Sequence, residues 1–240
     1  MDAVIWHDLE CGSYQQDLAL WLALARDAQG APILDVGAGT GRVTLPLARA
    51  GYELVALDLD AELLRELERR ATGLAVETVV ADARDFSLPG RSFALVIVPM
   101  QTIQLFGGEA GRAAFLRSAA RHLRPDGVVA IAIAQDLQEF EWRDGDDEPL
   151  PDMVELDGAV YFSQPTAIRR HGSTYVLERT RETVHPSGDR ERQEDRIALD
   201  NLSTRRLLQE GRRAGLRALE TRRIPPTADH VGSEVVILGA

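Results

Sequence analysis

Residues 33–42 read ILDVGAGTGR. The apolar run of Ile33, Leu34 and Val36 has the length and branching of a buried strand, and the glycines at 37, 39 and 41 mark a sharp turn with bare backbone. Residues 41–50 then take up helical spacing. A glycine-rich turn between a strand and a helix is a place where a ligand approaches the main chain. Asp35 stands inside the apolar run, and a carboxylate there needs a partner: backbone amides of the turn, or a cation. The two readings are compatible.

The spacing narrows the ligand. The order is Gly-x-Gly-x-Gly followed by Arg42, which departs from the dinucleotide fingerprint, and no Gly-Lys-Ser/Thr phosphate loop is present. A nicotinamide-dependent oxidoreductase is a poor fit on that spacing. All of the basic residues are Arg, so a catalytic Tyr-x-x-x-Lys pair is also absent.

Working outward, the apolar runs at 31–36, 53–58, 75–80, 93–98 and 127–134 alternate with helical patterns near 41–50, 61–71 and 109–123. Near-continuous apolar strands separated by helices predict a doubly wound α/β fold with a mostly parallel sheet. An amphipathic helix over 13–28 precedes the first strand. Residues 136–157 carry many acids with Pro149 and Pro151, which predicts a loop or mobile lid rather than a core strand or regular helix. Alternation over 159–199 predicts antiparallel strands with a hairpin turn at 186–189. Ser203 is placed to cap a helix running to about Ala214, and 216–224 with 231–240 predict a closing strand pair. The expected division is therefore 1–134 as N-terminal helix and α/β core, 135–200 as acidic lid and antiparallel insertion, and 201–240 as the helix and strands that complete the core.

Composition excludes several functions. The formal net charge is -11, with no basic stripe interleaved with aromatics, so nucleic-acid partners are disfavoured. No apolar run approaches the about 20 residues of a membrane-spanning helix, and "MDAVIWHD" lacks the basic start of a secretory leader. Cys11 is the single cysteine, which fits a reducing, cytoplasmic setting and a buried thiol rather than a nucleophile. The five histidines show no zinc spacing. Asp136 is a candidate magnesium ligand without a paired Asp-Asn, so no metal is expected.

Five ordered segments together resemble class I S-adenosylmethionine-dependent methyltransferases. "LDVGAGTG" is similar to that family's first motif, "LVALDLD" to its second, "VVADARDF" to its third, "FALVIVPMQTIQLF" to its fourth, and "LRPDGVVAIAI" to the turn and fifth strand. The resemblance implies a Rossmann-like, seven-stranded fold with S-adenosylmethionine as cofactor and S-adenosylhomocysteine as product. It implies that Gly37, Ala38, Gly39 and Gly41 approach the methionine half, with Asp35 near its amino group. It also implies that Asp58 receives the ribose hydroxyls beside Leu59, that Asp82 and Ala83 meet the adenine, and that Pro99 and Met100 lie beside the sulfonium.

Methyl transfer from a sulfonium is an in-line displacement needing proximity, alignment and dryness, with a base only where the acceptor holds a proton. Tyr14 resembles a tyrosine that small-molecule members carry before the first helix; it either faces the methyl donor or packs the helix on the sheet. His7 is the candidate general base, or else a packing residue. Gln101 and Gln104 suit hydrogen bonding to a substrate, and Trp142 suits its apolar face. The loop lacks the Asn/Asp-Pro-Pro-aromatic motif of members that methylate exocyclic amines of DNA bases. The acidity of 136–157 would favour a cationic acceptor. The function expected is methyl transfer to an oxygen or nitrogen of a small molecule, the alternative being a non-catalytic cofactor-binding or partner-binding module. The antiparallel region leaves strand edge for a homodimer.

Overall fold

Every residue of β1 (Ile33–Val36) is buried, as a strand covered on both faces must be. Its alternate side chains divide between two cores: Leu34 and Val36 pack with Val96, Phe115 and Leu116, while Ile33 joins Trp21, Leu47 and Ile97. The computed structural model describes residues 2–28, 30–135, 137–143, 150–227 and 230–240. In it β1 runs parallel to β2 (Leu54–Asp58) on one side and to β4 (Phe93–Val98) on the other. β3 (Val76–Val80) extends the sheet beyond β2, and β5 (Leu123–Ile133) extends it beyond β4. Two late strands, β11 (Arg217–Ile224) and β12 (Ser233–Gly239), complete seven strands in the order β11-β12-β5-β4-β1-β2-β3, with β12 antiparallel to both neighbours.

Helices fill both faces. α2 (Leu18–Asp27) and α3 (Thr44–Arg49) lie on one side, α5 (Gly108–His122) and α6 (Thr204–Arg213) on the other. α4 (Ala61–Arg70) sets Leu64 and Leu67 against Ala38 and Ala56, and starts where the Asp60 carboxylate accepts the amide of Glu62 at 2.7 Å. Ser203 caps α6 by accepting the amide of Arg206 at 3.3 Å. The strand order turns back at β1, so a crevice opens at the carboxyl ends of β1 and β4.

A second sheet stands over that crevice. β8 (Ala159–His171), β9 (Thr174–Val184) and β10 (Arg190–Asp200) are consecutive antiparallel strands, and β6 (Phe140–Glu141) and β7 (Asp152–Leu156) both pair with the outer edge of β8. Residues 159–171 form one strand, β8, whose register shifts between Pro165 and Ala167, where the proline has no amide to give. The stretch 136–157 differs from the expected loop: β6 and β7 lie within it, and both are largely exposed edge strands. Asp136 and residues 144–149 are outside the described residues. The helix expected over 13–28 begins at Leu18, and a separate helix, α1 (Asp2–Cys11), precedes it. α1 buries Trp6 alone, so it has no apolar period to read. Among the described residues, no helix is long and apolar enough to cross a membrane.

The sheets are joined by charge. Arg112 of α5 is 3% exposed and gripped by Glu210 of α6, which is 2% exposed, through bonds of 2.8 and 2.6 Å; it also binds Asp200 at the end of β10. The Asp200 carboxylate takes a further bond from the Gly108 amide at 2.8 Å. Removing one partner of a buried ion pair strands the other charge, which costs about 3–5 kcal/mol. Arg112→Ala is therefore expected to lower the unfolding free energy by about that amount in urea titration, whereas Arg69→Ala, at an exposed pair on α4, shifts it by less than about 1 kcal/mol.

Candidate active site

A cavity of about 680 Å³ occupies the crevice. Its floor is the strand ends of the core sheet, where Asp35, Asp58 and Asp82 come together with Gly37, Ala38, Leu59, Ala83, Pro99, Met100 and Gln101. One wall is α1, through Trp6, His7 and Glu10; the roof is the inner face of the second sheet, Leu177, Arg179 and Arg181 from β9 with Ile197 and Leu199 from β10.

Each floor carboxylate is held differently. Asp35 is 1% exposed; its Oδ2 accepts the Thr44 hydroxyl at 2.6 Å, while its Oδ1 is buried without a hydrogen-bond partner. Burial pushes its carboxyl up to about 6, against the Thr44 hydrogen bond that works the other way. Asp58 accepts the Gly39 amide at 2.8 Å and the Asp60 amide at 2.9 Å, which fixes it at the end of β2 with lone pairs to spare on both oxygens. Asp82 is forked by Arg84, with bonds of 2.6 and 3.0 Å, and those hydrogen bonds hold its carboxyl below the usual range. Beyond β4, Met100 adopts a φ of 54°, a left-handed conformation unusual for a side chain of its size, at the cavity edge.

The glycine turn is packed from outside as well as bare within. A Cβ on Gly37 would lie 2.5 Å from the Thr102 side chain, and one on Gly39 would lie 2.3 Å from Nε2 of His7. Gly39 (φ 53°) therefore admits the imidazole of α1 against the turn.

Five of the residues expected at the site do not line the cavity: Gly39, Gly41, Tyr14, Gln104 and Trp142. The Tyr14 ring is buried between the Arg42 guanidinium, 5.1 Å from its centroid, and the His230 ring at 5.0 Å. Arg42 in turn donates to the Tyr14 carbonyl and to both oxygens of Asp17, which also takes the Trp21 indole proton, so Tyr14 packs α2 onto the turn. Gln104 is 1% exposed, and its amide is used up by backbone: it donates to the carbonyls of Ala134 and Asp200 and accepts the Ala134 amide at 2.8 Å. No group is left on it for a substrate. Trp142 pairs its amide with the Thr166 carbonyl on the second sheet.

The sequence predicts an antiparallel insertion over the site without singling out the residues of β9 and β10 that line its inner face. Leu177, Arg179 and Arg181 are spaced by two, as are Ile197 and Leu199, so strand alternation carried the signal. Glu10 receives bonds from Arg181 at 2.7 and 2.8 Å, from Ser163 at 2.7 Å, and an ion pair from Arg179 at 2.8 Å. Burial opposes the charge on Glu10, but these partners hold its carboxyl below the usual range. None of the described carboxylates of 136–157 lines the cavity; Glu141 is exposed and paired with Arg169 and Arg143. Among the described residues there is no group of three or more His, Cys, Asp or Glu able to hold a metal ion.

The strand order, with its antiparallel seventh strand, and the crevice lined by carboxylates at successive strand ends define a class I methyltransferase fold. Residues 33–127 match the family described as "Methyltransferase domain". The chain is 35% identical over 129 residues to cypemycin N-terminal methyltransferase of Streptomyces sp, covering 54% of this chain and 52% of that protein. It is 35% identical over 120 residues to dTDP-3-amino-3,6-dideoxy-alpha-D-glucopyranose N,N-dimethyltransferase of Streptomyces fradiae, covering 49% and 46%. The chain thus spans about half the length of these curated relatives. Its fold is similar to that of S-adenosylmethionine-bound CalS10, an amino pentose methyltransferase from Micromonospora echinaspora, with a TM-score of 0.72, 20% identity and coverage of 99% and 96%. The α/β core of this chain is accordingly similar, in sequence over residues 33–127 and in fold throughout, to S-adenosylmethionine-dependent methyltransferases.

Because the folded state raises the pKa of Asp35 from 3.8 to about 6, its charge weakens the fold, with no cost below the lower value and the full cost above the higher. Asp35→Asn is expected to raise the stability of the free protein at pH 7 by at most about 3 kcal/mol, with the gain vanishing as pH falls toward 3.8. Thermal unfolding between pH 4 and 8 reads the difference. The same variant is expected to bind S-adenosylmethionine more weakly, which calorimetry reads separately.

Proposed function

We propose that the protein transfers a methyl group from S-adenosylmethionine to an amine nitrogen of a small molecule. The observation carrying this reading is the meeting of three carboxylates from successive strand ends in one cavity whose opposite wall comes from a separate sheet. The orphaned Oδ1 of Asp35 fits a cation, which suits the ammonium of the cofactor's amino acid. Asp58 would take the ribose hydroxyls beside the exposed Leu59 side chain, and Asp82 the adenine, with Arg84 giving way. When bound, the cofactor supplies an electrophilic methyl whose bonding electrons leave with sulfur.

The chain's own residues do the rest. The strand ends orient, the apolar side chains of the roof exclude water, and a dry site favours a reaction in which charge disperses. The described curated relatives carry names that place methyl groups on an amino terminus and a sugar amine, which favours nitrogen over oxygen. An amine is protonated at neutral pH, so a base is needed, and His7, lining the cavity, is assigned that task. Residues 1–134 with 201–240 would then hold the cofactor and 135–200 the acceptor. The lone thiol of Cys11 suits a cytoplasmic setting, and the open edge of β10 suits a homodimer, which sedimentation would read.

Calorimetry with S-adenosylmethionine and S-adenosylhomocysteine tests the core of the proposal, and binding of neither overturns it. Asp58→Ala is expected to weaken binding of both roughly tenfold to hundredfold, the loss of a charged hydrogen-bond acceptor. Mass spectrometry after incubation with dTDP-3-amino-3,6-dideoxy-α-D-glucopyranose or a short peptide with a free amino terminus reads transfer itself.

A further inference from the structure

The hydrogen-bond donors around His7 can be counted. The Thr40 hydroxyl lies 2.6 Å from Oδ1 of Asp8 and 3.2 Å from Nδ1 of His7. Burial raises the Asp8 carboxyl, but His7, Arg70 and Thr40 outweigh it and hold Asp8 far below the usual range, so it is a carboxylate that only accepts. Arg70 of α4 adds two bonds to it, one of 3.1 Å, and locks its position. A hydroxyl has one proton, and an oxygen 2.6 Å from a carboxylate oxygen must place that proton between them. The contact between Thr40 and His7 therefore needs its proton from the ring. In the neutral ring Nδ1 then donates, and Nε2 is left bare.

We propose that Thr40 and Asp8 act as positioning residues that fix His7 in the Nδ1–H tautomer, so that Nε2 presents a lone pair to the cavity and takes the proton of the acceptor's ammonium; this rests on the methyl-transfer reading above. The N–H bond of the ammonium breaks, its electron pair stays on nitrogen, and the proton moves to Nε2, making the ring an imidazolium. The charge then sits 3.8 Å from Asp8, measured from Nδ1. Other charged groups around the ring's cavity are Glu10 on α1, Asp35, Arg42, Asp58, Asp60, Asp82 and Arg84 at the floor, and Arg179 and Arg181 on the roof. Gly39 makes the arrangement possible, since any Cβ there would displace Nε2. Among the described residues Nε2 of His7 has no hydrogen-bond partner, unlike His122, whose Nε2 accepts the Leu88 amide at 2.9 Å and whose Nδ1 faces the Ser118 carbonyl.

Nitrogen NMR on the ¹⁵N-histidine-labelled protein without ligand, above pH 7.5, tests this directly, with His7→Asn assigning the signal and His122 serving as an internal Nδ1–H reference. The expected spectrum has pyrrole-type Nδ1 and pyridine-type Nε2 for His7. In Thr40→Val this preference is lost, and in Thr40→Ser it is kept, both variants being checked for an unchanged melting profile. A pyridine-type Nδ1 in the wild type, or a tautomer indifferent to Thr40→Val, overturns the proposal. With dTDP-3-amino-3,6-dideoxy-α-D-glucopyranose as acceptor, Thr40→Val is expected to lower kcat on the order of tenfold to hundredfold with KM little changed, and Thr40→Ser to restore it. Absence of any turnover tells against the methyl-transfer reading and leaves the tautomer result standing.

Discussion

The second sheet stays over the crevice because one arginine is buried between two carboxylates. Arg112 comes from the helix behind the core sheet, Glu210 from the helix beside it, and Asp200 from the last residue of the roof. Gln104 reinforces the same corner by bonding the Asp200 and Ala134 carbonyls, the points where roof and floor leave each other. Desolvating these charges is costly, and only saturation of nearly every donor makes it tolerable. What the arrangement gives in return is geometry. The apolar contact there, Ala134, Leu137, Tyr175 and Leu199, is small beside the cores of the main sheet, and oil alone fixes an angle poorly.

From that corner the roof reaches across to α1, which closes the cavity by two polar attachments. On one side Asp8 meets Thr40 and Arg70 of the core; on the other Glu10 meets Arg179 and Arg181 of the roof. Trp6 adds an edge contact to Tyr161 at 5.5 Å and lies under Arg181. A helix held by ion pairs at its flanks and by one buried side chain is tied to both halves without belonging to either core. That suits an element bordering a site that a large cofactor must enter.

How much of this was legible in the sequence follows from how local each cause is. The α/β core was, since apolar strands and helical faces declare themselves within a window of ten residues, and the glycine turn announces its place between them. Asp35, Asp58 and Asp82 were placed about one ligand by the resemblance of their segments to three methyltransferase motifs, and they line one cavity. The failures are of another kind. Gln104 looked like a substrate ligand because an amide in a loop after β4 has the right chemistry; only tertiary contact shows that backbone from residues 134 and 200 consumes it. The sequence leaves Tyr14 between facing the methyl donor and packing its helix, and its ring is claimed by Arg42 and His230 in the packing role. α1 was invisible because its side chains are chosen for partners far along the chain, which leaves no periodic trace.

The acidic stretch 136–157 shows the same limit in electrostatic form. Reading its charge as the charge of the site assumed that neighbours in sequence face the same space. The strands put its described carboxylates on an exposed edge, while the alternation of β9 turns Arg179 and Arg181 inward. The cavity is thus polarised along its depth, with carboxylates at the floor and guanidinium groups at the roof. Glu10 and Asp195 make the roof sustainable: each pairs with both Arg179 and Arg181, and without these carboxylates two guanidinium groups in a part-buried wall would repel each other with no counter-charge. A buried acid on α1 and a pair of arginines on a strand about 170 residues away are therefore one device, and it sets the roof end of the cavity apart from the carboxylates of the floor.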